Sequence, residues 1–306
     1  MLEGLFNSLV IEINSSYIKV VEGKKGKKVK VLKLNEMLIN EQNNGVIDSL
    51  DEAAILNLMN KYMIENKVSK YNVNIVLSGL TNLLVREVVI PNIPKDKIYS
   101  MLKIEAPQYF PVNIDRYILD YKVLEVLREG KTKKLKLLVF AVPKNVIDQV
   151  ISVVNKLNLK INKIDIEPNV LAKLSFKLGI GKDESAMVLN VEKNFLTAVI
   201  VKNNIVQLTK TYPHDLSELT DENLKIDDYK LNEINDNVVK LIEFYKIKER
   251  EELNKVYILG DKAKFLHLER VLPSKTGSDV LSIENLDFVD GAEDLNKFIV
   301  PVATFI

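Results

Sequence analysis

Apolar and polar residues alternate through LVIEIN and YIKVVE, residues 9–14 and 17–22, on either side of Ser15-Ser16. A period of two on both sides predicts two strands joined by a tight turn. After a KKGKK tip, VKVLKL repeats the pattern and predicts a third strand. From Leu50 to Lys67 the period lengthens: Leu50, Ala53, Ala54, Leu58, Met59, Tyr62 and Met63 fall on one helical face. The chain therefore opens with a strand meander followed by a helix.

The next stretch reads as strand VREVVIP, a helix from Pro94 to Tyr109, strands YILDYKVLEVL and KLKLLVFAV, a helix from Pro143 to Leu157, and strand KINKIDI. The order is β-α-β-β-α-β. Pro94 and Pro143 are placed in the first turns of their helices, where proline is tolerated. REGKTKK carries the polar, glycine-bearing chemistry of a hairpin loop. An inserted subdomain is expected here, followed by a helix near Val170–Leu178.

After GIGKDES the opening pattern returns in AMVLNVEKNFLTAVIVKNNIVQLTKT. Shifted by 178 positions, Val10, Ile11, Ile13, Tyr17, Ile18 and Val21 fall on Val188, Leu189, Val191, Phe195, Leu196 and Val199. Apolar lands on apolar around a short polar turn, so a duplicated meander is predicted. The last third reads as a polar helix from Asp221 to Lys248, strand KVYIL, Gly260, a helix through Phe265–Leu272 and a return strand near Val280. Phe298 to Ile306 is almost wholly apolar and reads as a buried last helix or a cut edge.

Composition removes several kinds of chemistry. Among 306 residues, 43 Lys and Arg meet 42 Asp and Glu, so no global charge marks a nucleic-acid partner. The absence of Cys removes disulfides, thiolate metal sites and Cys nucleophiles. His214 and His267 are too few and too far apart for an imidazole metal cluster or a His-based triad. No signal peptide is visible at Met1–Leu9, and no apolar run reaches the roughly 20 residues of a membrane span. A cytoplasmic home is expected. The lysine groups Lys24–Lys30 and Lys131–Lys136 read as solvated hairpin tips, with weak attraction to an anionic membrane as the sharper reading.

Two meanders, each with a tight turn after its first strand, describe the actin-like ATPase architecture: an α/β fold of two duplicated ribonuclease-H-like halves closing on a nucleotide. Its turns ordinarily read D-x-G, where Asp organises Mg²⁺ and Gly admits phosphate to the backbone amides. Here the first turn runs Glu12-Ile13-Asn14-Ser15-Ser16, with Ser15, Ser16 and Lys19 within reach of a phosphate. The second runs Asn190-Val191-Glu192-Lys193-Asn194 and sets a carboxylate where the glycine belongs. Gly260-Asp261-Lys262-Ala263 keeps one glycine of the pair expected at the adenine end. All three signals are eroded, which predicts weak or absent binding of ATP with magnesium. Asp165 and Glu167 are read as the polar close of a strand and the cap of the next helix, with Pro168 in its first turn.

The run VVIPNIPKDKIYSMLKIEAPQYFPVNIDRYILDYKVLE resembles the type IV pilus assembly protein PilM family, relatives of the cell-division protein FtsA. Glu105, Ala106, Tyr109, Pro111, Asp120, Tyr121, Val123 and Leu124 match its pattern. FAVPKNVIDQVISVVNKLNLKINKIDIEPNVLAKL is similar to a later segment of the same family. The likeness covers most of residues 10–211. It implies a first actin-like half at 1–84 completed by 167–184, an inserted FtsA/PilM-type subdomain at 85–166, and a second half at 185–306. It also implies a cytoplasmic adaptor at the inner face of the membrane. Such an adaptor binds the N-terminal tail of the membrane protein PilN in a groove beside the inserted subdomain and links it to the pilus motor. Ile104, Tyr109 and Phe110 are the candidate groove residues, with core of the subdomain as the competing reading for all three, placed ahead for Ile104, and Tyr109 as the better groove candidate. An active actin-like ATPase and an FtsA-like filament protein are the alternatives. PVATFI resembles only the beginning of the family's final small-residue helix, so either the segment is cut short or the natural chain runs on.

Overall fold

A computed structural model of the chain describes residues 8–39, 46–68, 72–130, 132–219 and 228–306. Residues at the N-terminal start, Lys131 and the start of the long polar helix lie outside these. Alternating apolar residues form the antiparallel meander β1 (Ser8–Ile13), β2 (Tyr17–Lys24) and β3 (Val29–Leu38). Helix α1 (Glu52–Glu65) starts where the Asp51 carboxylate accepts the Ala54 amide at 3.0 Å, and it buries Ile55, Met59 and Tyr62. It leads to β4 (Asn72–Leu77), parallel to β1. This strand is not among those predicted, because NVNIVL is too short to separate from a loop by its period.

The chain then builds β5 (Leu84–Pro91), α2 (Lys95–Tyr109), β6 (Tyr117–Glu129), β7 (Thr132–Pro143) and α3 (Lys144–Lys156). Residues 82–152 make a compact unit of their own, with an antiparallel sheet of order β5-β7-β6. One face carries Val88, Ile90, Leu119, Leu137 and Val139 against Ile98, Leu102, Ala106 and Phe110. Pro94 caps α2 and Pro143 closes β7, so both prolines sit just ahead of the first turns predicted for them.

Strand β8 (Lys160–Ile166) does not join that sheet. It lies parallel to β4 at the edge of the first half, so the sixth element of the predicted β-α-β-β-α-β order belongs to the main unit, residues 1–81 and 153–306. The main unit continues through α4 (Glu167–Lys177), β9 (Ala186–Val191), β10 (Phe195–Lys202), β11 (Ile205–Pro213), α5 (Asp228–Glu249), β12 (Lys255–Leu259), α6 (Leu268–Thr276), β13 (Asp279–Ser282), β14 (Val289–Asp290) and α7 (Leu295–Ala303). The apolar end is a buried helix: α7 packs against α4, β1 and β2.

The duplication holds in register. Ile13 pairs with Ile18 and Val10 with Val21; 178 positions on, Val191 pairs with Leu196 and Val188 with Val199. Each half then adds two parallel strands, giving β3-β2-β1-β4-β8 and β11-β10-β9-β12-β13, with β14 appended beside β3.

Candidate functional site

The two duplicated turns share a backbone and differ in side chains. In each, the residue after the first strand donates its amide back across the hairpin, Asn14 to the Tyr17 carbonyl at 3.2 Å and Glu192 to the Phe195 carbonyl at 2.9 Å. In the first turn Asn14 Oδ1 accepts the amides of Ser16 and Tyr17, both at 2.7 Å. Asparagine folds back on its own turn in this way because its short side chain reaches amides two and three residues on. Ser15 and Ser16 are buried within that turn.

The Glu192 side chain instead reaches out of its turn to the other half. Its Oε2 lies 2.7 Å from Lys19 Nζ and accepts the Tyr17 hydroxyl at 3.1 Å. Both partners of the ion pair are sealed, with Lys19 at 1% and Glu192 at 2% exposure. Glu12, the cross-strand neighbour of Lys19, accepts the Ser78 hydroxyl at 2.6 Å. Glu167 accepts from Asn190 Nδ2 at 2.7 Å, the Thr197 hydroxyl at 3.0 Å and the Gly79 amide at 3.3 Å. His214 Nε2 donates to the Glu192 carbonyl at 2.7 Å and secures the second turn from behind.

Glu192 and Glu12 thus share the Lys19 ammonium, while Glu167, the third buried carboxylate, has only neutral donors. Burial pushes Glu192 up to about 7 against the pull of Lys19. Burial likewise pushes Glu167 up to about 8 in spite of its hydrogen bond from Asn190, with Glu12 and Glu192 adding to the rise. Glu12 is raised by the same desolvation, only partly offset by Lys19 and Ser78. Burial would lower the Lys19 ammonium, but Glu192 and Glu12 outweigh it and hold the group above its ordinary value. Lys19 therefore stays charged beside Glu192.

These residues do not fit a magnesium nucleotide. The Ser16 and Tyr17 amides of the first turn are taken up by Asn14, the second turn presents a carboxylate, and the Lys19 ammonium is bound to Glu192. Glu12 Oε2 and Asn190 Oδ1 are buried without a donor, and Asn14 Nδ2 is a buried donor without an acceptor. The site is short of the donors that phosphate oxygens require. Among the described residues no three His, Asp or Glu side chains converge to hold a metal ion. Gly260 has φ +104°, and a Cβ there would stand 2.5 Å from both Asn190 Oδ1 and the Val191 carbonyl. Its glycine is explained by the close approach of the second turn. Lys262 donates its amide to the Val191 carbonyl at 2.9 Å and its Nζ to the Leu219 carbonyl at 2.9 Å.

Glu167 was read as a helix cap, and the structure corrects this. Ile166 is the capping residue, without a side-chain bond, and the Glu167 carboxylate turns inward to three donors far away in sequence. Asp165 closes its strand, binding Lys163, Lys173, Asn169 and the Ile166 amide. Tyr17, Ser78, Thr197 and His214 also belong to the cluster and were not singled out.

In the inserted unit the three groove candidates separate. Ile104 is 78% exposed on α2, so the core reading for it fails. Phe110 is 2% exposed and packs into the unit's core, where no partner reaches it. Tyr109 is half-buried, its hydroxyl donating to Glu105 at 3.2 Å, one turn back.

Two sheets of one strand order in a single unit, joined through buried turns and carrying an inserted α/β unit, define an actin-like fold. Solved structures agree. A protein of actin-like ATPase fold from Bacteroides thetaiotaomicron is 12% identical over 98% of this chain and 95% of its own, with TM-score 0.56. The ethanolamine utilization protein EutJ from Carboxydothermus hydrogenoformans gives 11%, 98%, 89% and 0.51. A PilM–PilN type IV pilus biogenesis complex gives 18% identity over 97% of this chain and 96% of that one, with TM-score 0.75. No match emerges among curated proteins. The family model of the type IV pilus assembly protein PilM matches residues 10–233, and the chain belongs to that family.

Proposed function

We propose that this chain is an adaptor of the type IV pilus machinery. In this reading it binds the cytoplasmic N-terminal tail of a PilN-like membrane protein and links that tail to the pilus motor. The observation that carries the reading is the family match over residues 10–233, supported by the likeness in fold to a PilM–PilN complex. Among the described residues no helix is long and apolar enough to cross a membrane, which agrees with a protein held at the inner face of the membrane by its partners. Helix α2 exposes apolar side chains: Ile104 and Tyr99 stand at 78% and 48% exposure, and Tyr109 is half-buried. Exposed bulky residues of this kind anchor an extended apolar segment.

A fluorescence-anisotropy titration with a labelled tail peptide of a PilN-like protein tests the reading. Saturable binding is expected, weakened about tenfold or more by Ile104→Asp or Tyr109→Ala, with circular dichroism unchanged. Absence of binding by the unaltered chain would overturn it. Loss of the folded spectrum in Tyr109→Ala would instead assign that tyrosine to the core and leave Ile104→Asp to decide.

A further inference from the structure

We propose that the Lys19–Glu192 ion pair is a built-in replacement for a bound nucleotide, closing the two duplicated halves on each other with no ligand required. In an actin-like protein the facing turns are held together by a polyphosphate and its cation, an anion bound by both halves at once. Here the anion is Glu192, carried by the second turn, and the cation is Lys19, carried by the strand after the first. The two are 173 residues apart in sequence and 2.7 Å apart in space, both essentially without solvent.

Three further hydrogen bonds span the same seam. The Tyr17 hydroxyl of the first half donates to the same Glu192 oxygen at 3.1 Å. Asn190 and Thr197 of the second half both donate to Glu167, which closes the strand-to-helix passage from β8 to α4 and also receives the Gly79 amide of the first half. Two of the residues that depart from the D-x-G pattern make these contacts. Glu192 occupies a glycine position, Asn190 an aspartate position, and Asn14 seals its own turn. The departures are one coordinated substitution: the turn that lost room for phosphate gained the group that takes its place. An isolated carboxylate here would be a heavily penalised buried charge, and Lys19 answers it.

The first arm of the test is thermal unfolding of the unaltered chain with and without about 5 mM Mg-ATP, since a ligand that binds the folded state raises its melting temperature. No shift is expected; a saturable rise would overturn the proposal. The second is a double-mutant cycle on Lys19→Met and Glu192→Leu. Each single change should lower the melting temperature strongly, and the double should lose much less than the sum; additive losses would overturn the pairing. The third is amide hydrogen exchange in Lys19→Met, or in Tyr17→Phe should the former not fold. Exchange should accelerate in the β9–β10 turn of the other half as well as around β2. Acceleration confined to the first half would show that the contact does not hold the halves together.

Discussion

The β1–β2 and β9–β10 turns occupy equivalent points of a duplicated meander, pair in the same register and fold their backbones alike, yet handle charge in opposite ways. The first is self-contained: Asn14 satisfies Ser16 and Tyr17, and the strand behind it supplies a cation. The second is open-ended: Glu192 leaves its turn and is completed only by the other half. Duplication fixes where two turns meet. What they do on meeting depends on one position, Asn14 in one copy and Glu192 in the other.

The sharpest break of this comparison is at Gly260. Strand register makes Leu77 its counterpart, because β4 pairs with β1 as β12 pairs with β9. Leu77 is an ordinary buried strand residue. Gly260, at φ +104°, lets Asn190 and Val191 approach to 2.5 Å of where a Cβ would be. Backbone stands on the far side of the clash and the conformation disfavours any side chain, so Gly260→Ala should cost at least about 3 kcal/mol. Urea unfolding measures it; an unchanged midpoint would show that the second turn has slack.

A smaller effect follows from the protons of the cluster. Glu167 is held at about 8 by burial, well above its unfolded value. The folded state therefore keeps a proton that the unfolded chain has released, and stability must fall as pH rises through this range. His214, lowered to about 4 by burial, acts oppositely, but only below about 6.5, where the unfolded imidazole charges. Above pH 6.5 the carboxylates act alone: Glu12 and Glu192 are raised in the same sense, and Lys19 and Tyr17 keep their protons throughout. From pH 6.5 to 8 Glu167 should account for about 2 kcal/mol of lost stability. Glu167→Gln should flatten that slope, and a variant with the slope intact would remove Glu167 from the account.

Much of this was legible in the chain. The two meanders announce themselves because strand alternation is local, and the shift of 178 that aligns them reappears as shared pairing register. The repulsive sense of Glu192 was also readable. That Lys19 answers it was not, since nothing local connects residues 173 apart. Glu167 hid for the same reason: its donors lie 23, 30 and 88 residues away, and a carboxylate at a helix start has an ordinary explanation. The sheet that β8 joins escaped because a strand's period does not name its neighbour. Ile104 was within reach. Buried Ile98, Leu102 and Ala106 are spaced by four, and a residue two beyond Leu102 lies about 200° round the helix, on the outer face.

The gentlest change separates the two turns most cleanly. Asn14→Ala removes the one side-chain oxygen that accepts two backbone amides, without adding charge or bulk. Such bonds are worth about 1 kcal/mol each at most, and the freed amides sit in a turn with few other acceptors, so a total loss of about 1–2 kcal/mol is expected. Its location matters more than its size. Asn14 bonds only within its own turn, so exchange of the Ser16 and Tyr17 amides should quicken while the β9–β10 turn keeps its wild-type protection. Glu192→Gln weakens a contact that both halves share, and should quicken exchange on both sides. If Asn14→Ala also loosened the β9–β10 turn, the first turn would not be self-contained, and the contrast between the two copies would reduce to one shared network.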